Sequence, residues 1–162
     1  MNKVESFEPI IDPSARVLIL GSMPGVQSLH EQRYYANPNN HFWSIIYAVF
    51  SMPIEVEYEK RIQFLRDKRI ALWDVIKSCD RVGSLDTNIK DETVNDFEQL
   101  FACYPSLKLI VFNGQKAFAT YKKHVGFDLL EAEYLSLPST SPANTMKFEN
   151  KLEQWKLILE YV

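Results

Sequence analysis

The chain has little of what many activities depend on. Its 162 residues hold two cysteines, Cys79 and Cys103, too few for a disulfide scaffold or for a four-cysteine metal or iron–sulfur site. Such sparse cysteine fits a reducing cytoplasm, the expected location. The three histidines, His30, His41 and His124, have no zinc-ligand spacing, and no His-Glu-x-x-His occurs. Five glycines form neither Gly-x-Gly-x-x-Gly nor a phosphate loop ending in Gly-Lys-Ser/Thr. No apolar run approaches the ~20 residues of a membrane span. Met1-Asn2-Lys3-Val4-Glu5-Ser6 also lacks the apolar core of a signal peptide. A monomer with no metal, no cofactor and no membrane partner is therefore expected. The net charge of −3 excludes a generally basic nucleic-acid coat, though not a local basic surface.

What is present suits one globular domain over residues 1–162: 46% hydrophobic, 13% aromatic and 24% charged residues. At this length about 68–70% of the unfolded surface can be buried, so the core needs no staple. The distribution of the 21 acids is uneven. They gather around residues 55–59, 91–98, 128–133 and 149–160, while residues 13–30, 32–54, 107–127 and 134–148 contain none. Those gaps hold Arg16, Arg33, Lys108, Lys116, Lys122, Lys123 and Lys147. If the gaps converge, one face is neutral to positive.

Four short apolar runs, at 16–20, 69–73, 107–112 and 134–137, are continuous rather than alternating. That pattern suits strands buried on both faces of a parallel sheet. Between them lie helical patterns at 42–50, at 57–67, at 93–104 with Thr93 as cap, and at the end of the chain. There Phe148, Leu152, Trp155, Leu159 and Val162 share one stripe. Alternating strands and helices in one domain predict an α/β fold, a three-layer α/β/α sandwich around a four-stranded parallel sheet.

Ligands of such sheets bind beyond the carboxyl ends of the strands. Here those ends carry Gly21-Ser22-Met23-Pro24-Gly25, the stretch 74–88, Asn113-Gly114-Gln115, and Pro138-Ser139-Thr140-Ser141-Pro142-Ala143-Asn144. No Gly-x-Ser-x-Gly elbow surrounds Ser22, and Cys79 reads as core rather than nucleophile. Amide, hydroxyl and aromatic chemistry remains. Tyr34-Tyr35-Ala36-Asn37-Pro38-Asn39-Asn40-His41-Phe42-Trp43 sets aromatic rings beside asparagines. Aromatic faces stack on bases, amides read base edges, and hydroxyls with backbone N–H groups hold phosphates. Phe42 and Trp43 also read as core, and the Asn/Pro run as an ordinary turn.

Together the segments 21–25, 34–43, 74–79, 81–86 and 137–144 resemble the uracil-DNA glycosylase superfamily, above all its hypoxanthine-DNA glycosylase branch. The resemblance implies a four-stranded parallel sheet between helices. It further implies a monofunctional DNA repair glycosylase that flips a deaminated base (hypoxanthine, uracil or xanthine) out of double-stranded DNA. Much of the superfamily has an Asp or Asn at the third position of the first motif, where this chain has Met23. The branch lacks a polar group there, which implies that Asn40, with Asn39 as runner-up, positions the attacking water. Tyr35 would stack on the base, and Ser22, Met23 and Asn113 would meet its edge. Ser139, Thr140 and Ser141 would hold the flanking phosphates, with Pro142 at the duplex. Two rivals stay open: a non-catalytic nucleic-acid or nucleotide binding module, which Met23 favours, and a hydrolase using Ser22.

Overall fold

The computed structural model describes residues 2–162. Its strands are β1 (Lys3–Glu5), β2 (Val17–Gly21), β3 (Ile70–Asp74), β4 (Ile76–Asp80), β5 (Lys90–Val94), β6 (Leu109–Asn113) and β7 (Glu133–Leu137). Its helices are α1 (Val26–Glu31), α2 (Phe42–Val49), α3 (Tyr58–Asp67), α4 (Phe97–Cys103), α5 (Gln115–His124) and α6 (Phe148–Trp155). The four apolar runs form one parallel sheet in the order β3-β2-β6-β7.

Alternation along these strands divides the core into two layers, because successive side chains point to opposite faces. Val17, Ile19, Ile70, Leu72, Leu109 and Val111 face residues of α2, α3 and α6. Leu18, Leu20, Ala71, Trp73, Ile110 and Phe112 face residues of α4 and α5. The result is the α/β/α sandwich with helices on both faces of a parallel sheet. All four strands therefore end at the same edge, with Gly21, Asp74, Asn113 and Leu137 side by side along it.

Three local expectations are corrected. A second sheet, antiparallel in the order β1-β4-β5, was not foreseen. Its strands are short, polar and half-exposed, and the β4–β5 pairing is irregular, so no alternation marks it. Thr93 lies in β5, where its hydroxyl meets that of Ser78 at 2.7 Å. The cap of α4 is Asp96, which accepts from the Gln99 N–H. The chain end tightens after Trp155 into a 3₁₀ turn, Lys156–Glu160. Three residues per turn instead of 3.6 rotate Ile158 into the core and leave Leu159 43% exposed.

Candidate active site

A cleft of about 900 Å³ opens at the carboxyl edge of the parallel sheet. Its walls come from residues 21–28, from Tyr34, Tyr35, Asn37 and Asn40, from Asp74 with 84–87, from 113–116 and from 136–144 with Met146. The acid-poor segments do converge here, but they bring little positive charge. Of the basic residues expected on this face, only Lys116 lines the cleft. Arg16 and Lys108 precede β2 and β6 and line a shallow hollow at the opposite edge, beside Glu131, Glu133 and Glu160.

The aromatic segment is held by internal bonds. Phe42 is fully buried at the start of α2, and Tyr35 stacks on it with ring centroids 4.0 Å apart and planes at 17°. Tyr35 adopts φ 53, a left-handed conformation uncommon for a bulky residue. Burial, then the nearby Asp74 carboxyl, push its phenol above the ordinary value. Trp43 donates from its indole to the Tyr34 carbonyl at 3.1 Å, and Tyr34 donates to the Glu8 carbonyl. Asn40 lines the cleft, and its Oδ1 accepts from the Phe42 N–H at 2.9 Å, which satisfies the first free N–H of α2 from the residue before its N-cap, His41. Asn39 is exposed and lies outside the lining.

Asn113 and Thr140 join the aromatic wall to the hydroxyl loop. The Asn113 amide donates to Thr140 Oγ1 at 2.9 Å and to Tyr35 Oη at 3.2 Å. In return, its Oδ1 accepts from the Thr140 N–H at 2.9 Å. Thr140 is fully buried, and its carbonyl accepts from the His41 N–H. Ser139 and Ser141 differ from it. Their hydroxyl oxygens accept from the N–H groups of Ser141 and Ala143 respectively. An oxygen used this way still has a proton to donate into the cleft. Pro142 and Ala143 form the exposed tip of this loop. Gly114, at φ 96, admits the loop, since a Cβ there would stand 2.9 Å from Ser139 Cβ.

Behind the loop lies Lys151, a fully buried lysine of α6. Its Nζ stands 3.4 Å from the Ser141 carbonyl and 3.5 Å from His41 Nδ1. Desolvation lowers its pKa.

The opposite wall is the first-motif loop. Met23 is buried with Ile76, Cys79 and Ile89 in a small apolar cluster. Ser22 Oγ donates to Asp86 Oδ1 at 2.7 Å, and no histidine lines the cleft. Ser22 thus has no imidazole base, and the hydrolase reading fails on geometry. Arg81 is buried and donates to the Pro24 carbonyl, and Ser84 Oγ accepts from the Val26 N–H at 2.8 Å.

Asp74 was given no role from sequence. It is 4% exposed at the end of β3, it lines the cleft, and its Oδ2 has no hydrogen-bond partner. A Cβ at Gly21 would stand 2.6 Å from Asp74 Oδ1 and 3.2 Å from Tyr35 Oη, so only glycine admits both groups here. Burial, then the neighbouring Asp86 carboxylate, push the Asp74 pKa up to about 7, against the opposing pull of Arg81. The available signal was positional: a carboxyl directly after an apolar strand, at the edge where such sheets bind ligands. Lys151 gave no comparable signal, because a lysine in an amphipathic helix reads as solvated surface.

The chain is similar throughout its length to proteins of one kind. The model of the Uracil DNA glycosylase superfamily matches residues 8–162. A hypoxanthine DNA glycosylase of Methanosarcina acetivorans is 37% identical over 158 residues, covering 96% of this chain and 97% of the relative. The hypoxanthine DNA glycosylase of Methanosarcina barkeri is 35% identical over 156 residues, covering 94% and 96%. A solution NMR structure of a Methanosarcina acetivorans protein, provisionally designated a uracil DNA glycosylase, superposes with a TM-score of 0.81 at 36% identity, covering 96% of each chain. With the predicted sheet, the edge cleft and the motif segments around it, these matches establish that the chain belongs to the uracil DNA glycosylase superfamily.

Proposed function

We propose that the protein is a monofunctional DNA glycosylase that hydrolyses the N-glycosidic bond of a deaminated base, hypoxanthine first, in double-stranded DNA. One observation carries this reading. The edge cleft joins an aromatic platform, a polar amide and a hydroxyl loop within a single cavity of about 900 Å³. The names of the relatives, both hypoxanthine DNA glycosylases, support the choice of base.

The target nucleotide must leave the duplex stack, at a cost of a few kcal/mol that is smallest at a mispair. Ser139 and Ser141 donate hydroxyl hydrogen bonds to the flanking phosphates, and Pro142 at the exposed tip meets the duplex. Thr140, enclosed by Asn113 and His41, braces this loop rather than touching phosphate. The extruded base enters beside Tyr35 and meets the edge formed by Ser22, Met23 and Asn113. Asn40 orients the attacking water and lies against the developing oxocarbenium charge at C1′. An amide cannot take a proton at neutral pH, so its contribution is position and dipole. Asn39, outside the cleft, drops from second choice to no role. No lysine is placed by motif for Schiff-base lyase chemistry, so a bare abasic site is the expected product.

Single-turnover incubation with labelled duplexes containing hypoxanthine, uracil or xanthine, followed by alkaline cleavage, tests the reading. Strand breaks only after alkali, fastest with hypoxanthine, are expected. Met23 favours a second reading, since the thioether in its apolar cluster cannot orient water. Binding of these duplexes without any strand break would mark a binding module.

A further inference from the structure

Asp74 is a buried carboxyl that the reaction above leaves unused. Its surroundings are those of a proton donor. No cation lies within ion-pair distance of it among the described residues. The groups facing it are Asp86 from the 3₁₀ turn after β4, Arg81 from the end of β4, and the phenols of Tyr34 and Tyr35. Asp86 already accepts from Ser22. Arg81 spends its recorded bond on the Pro24 carbonyl, and its Nε and Nη1 have no partner. The Asp74 backbone is fixed as well, since its carbonyl accepts from Asn95 Nδ2 at 2.7 Å. A desolvated anion with an orphaned oxygen is costly, whereas a neutral carboxylic acid needs only an acceptor. Asp74 lines the cleft, where a purine would offer O6, N3 and N7 as acceptors.

We infer that Asp74 is the general acid that gives its proton to the departing base. The inference rests on the glycosylase reading above. As the C1′–N bond breaks, its electron pair stays on the base. The Asp74 proton moves to an acceptor atom of the ring, so hypoxanthine leaves as a neutral molecule rather than an anion. The carboxylate left behind lies in the same cleft as the cationic sugar and stabilises it. Water held by Asn40 then adds to C1′, and the proton it releases restores the Asp74 acid. Substrate and water yield abasic sugar and free base, and no other reactant is needed.

Burial already holds the Asp74 pKa at about 7, which is where a general acid works best at physiological pH. With the acid form required, single-turnover excision of hypoxanthine should be flat below pH 6 and fall tenfold per unit well above about 7. Asp74→Asn keeps size and polarity and has no proton to give. It should excise about 10²–10⁴-fold more slowly, with a rate independent of pH between 5 and 9. Its affinity for a duplex carrying an abasic analogue should equal the parent's. Asp86→Asn removes the neighbouring negative charge, so the falling limb should move to lower pH.

Parent activity that rises with pH to a plateau would make Asp74 a base and overturn the assignment. So would Asp74→Asn within threefold of the parent at pH 6.5. Should Asp74→Asn fail to fold, the pH profile of the parent and the displaced limb in Asp86→Asn still decide. A parent protein that excises none of the three bases defeats the glycosylase reading itself, an outcome distinct from all of these.

Discussion

The wall made by residues 21–25, Asp74 and Asp86 and the wall made by residues 136–144 face one cleft with different buried groups. On the first, the buried Asp74 carboxyl and a half-satisfied buried arginine lie beside the exposed Asp86 near the end of the central strand. On the second, the surface is hydroxyl and backbone, with the Lys151 ammonium fully buried behind it. Each arrangement suits a different part of the same ligand. A base that departs with an electron pair is helped by an acid and repelled by an exposed carboxylate. Phosphates are held by hydroxyl donors, and a buried cation behind them adds attraction without a mobile surface charge. Asn40 lines the same cleft, and in the proposed reaction it orients the water.

The sharpest break in this picture would come from Asn40 itself. Removal of one preorganised polar group typically costs about 10²–10³ in rate. Asn40→Ala should lower single-turnover excision by that factor and leave duplex affinity nearly unchanged. Because Oδ1 also accepts from the first free N–H of α2, the variant should lose about 0.5–1.5 kcal/mol of stability as well. Asn40→Asp, which keeps an acceptor for the Phe42 N–H and can orient water, should recover both. Loss of stability with an unchanged rate per folded molecule would reduce Asn40 to that acceptor at the start of α2.

Asp74 makes the two walls separable by stability. Its folded pKa, about 7, lies above the unfolded value near 3.9. Its neutral form is thus favoured in the fold: its contribution is complete below the unfolded value and is lost as pH rises through about 7. Asp74→Asn cannot ionise and should gain on the parent by about 2–4 kcal/mol between pH 4 and pH 8. Urea denaturation at the two pH values measures this. An equal difference at both would mean that the carboxyl is paired or solvated in solution.

What the sequence made legible follows from how strongly each element is over-determined. Continuous apolar runs at 16–20, 69–73, 107–112 and 134–137 suit doubly buried strands, and from them follow the sheet, its edge and so the place of the cleft. The segments beyond those strands could be named for the same reason. Side-chain partnerships were not legible, because they join residues far apart in the chain. Thr140 reads as a phosphate contact from its hydroxyl, but its bonds to Asn113, 27 residues away, turn it inward. Asn113 reads as an edge reader, and its amide is already shared between Tyr35 and Thr140. Charge was not legible either. Lys151, on which the sequence offers no signal, is buried, while Arg16 and Lys108, expected on the neutral-to-positive face, lie at the opposite edge of the sheet.

The hydroxyl wall should govern affinity and not chemistry. Replacing both Ser139 and Ser141 by Ala removes two donors to phosphate, each worth about 0.5–1.5 kcal/mol. Duplex dissociation constants should rise about five- to 150-fold at fixed salt. The rate from the bound complex should hold, since both hydroxyls are assigned to phosphate and not to C1′. A drop in that rate with affinity intact would move these serines to the reacting centre.

The smallest effect concerns Lys116, the one lysine or arginine among the described residues that lines the cleft. Net charge is −3, yet duplex binding should still weaken with salt, because the acid-poor segments form this face. Lys116→Glu should weaken binding to every duplex alike, damaged or not, by about two- to fivefold at low salt, as expected for a solvated charge. Loss of one phosphate contact should also lower the slope of log affinity against log salt by about 1. Lys147 provides the contrast: it is exposed just before α6 and outside the cleft lining. Lys147→Glu should leave that slope unchanged. Equal slopes for both variants would extend the DNA face from the cleft across the start of α6. An unchanged slope for Lys116→Glu would mean that hydroxyls, backbone and the buried Lys151 hold the phosphates without any surface cation.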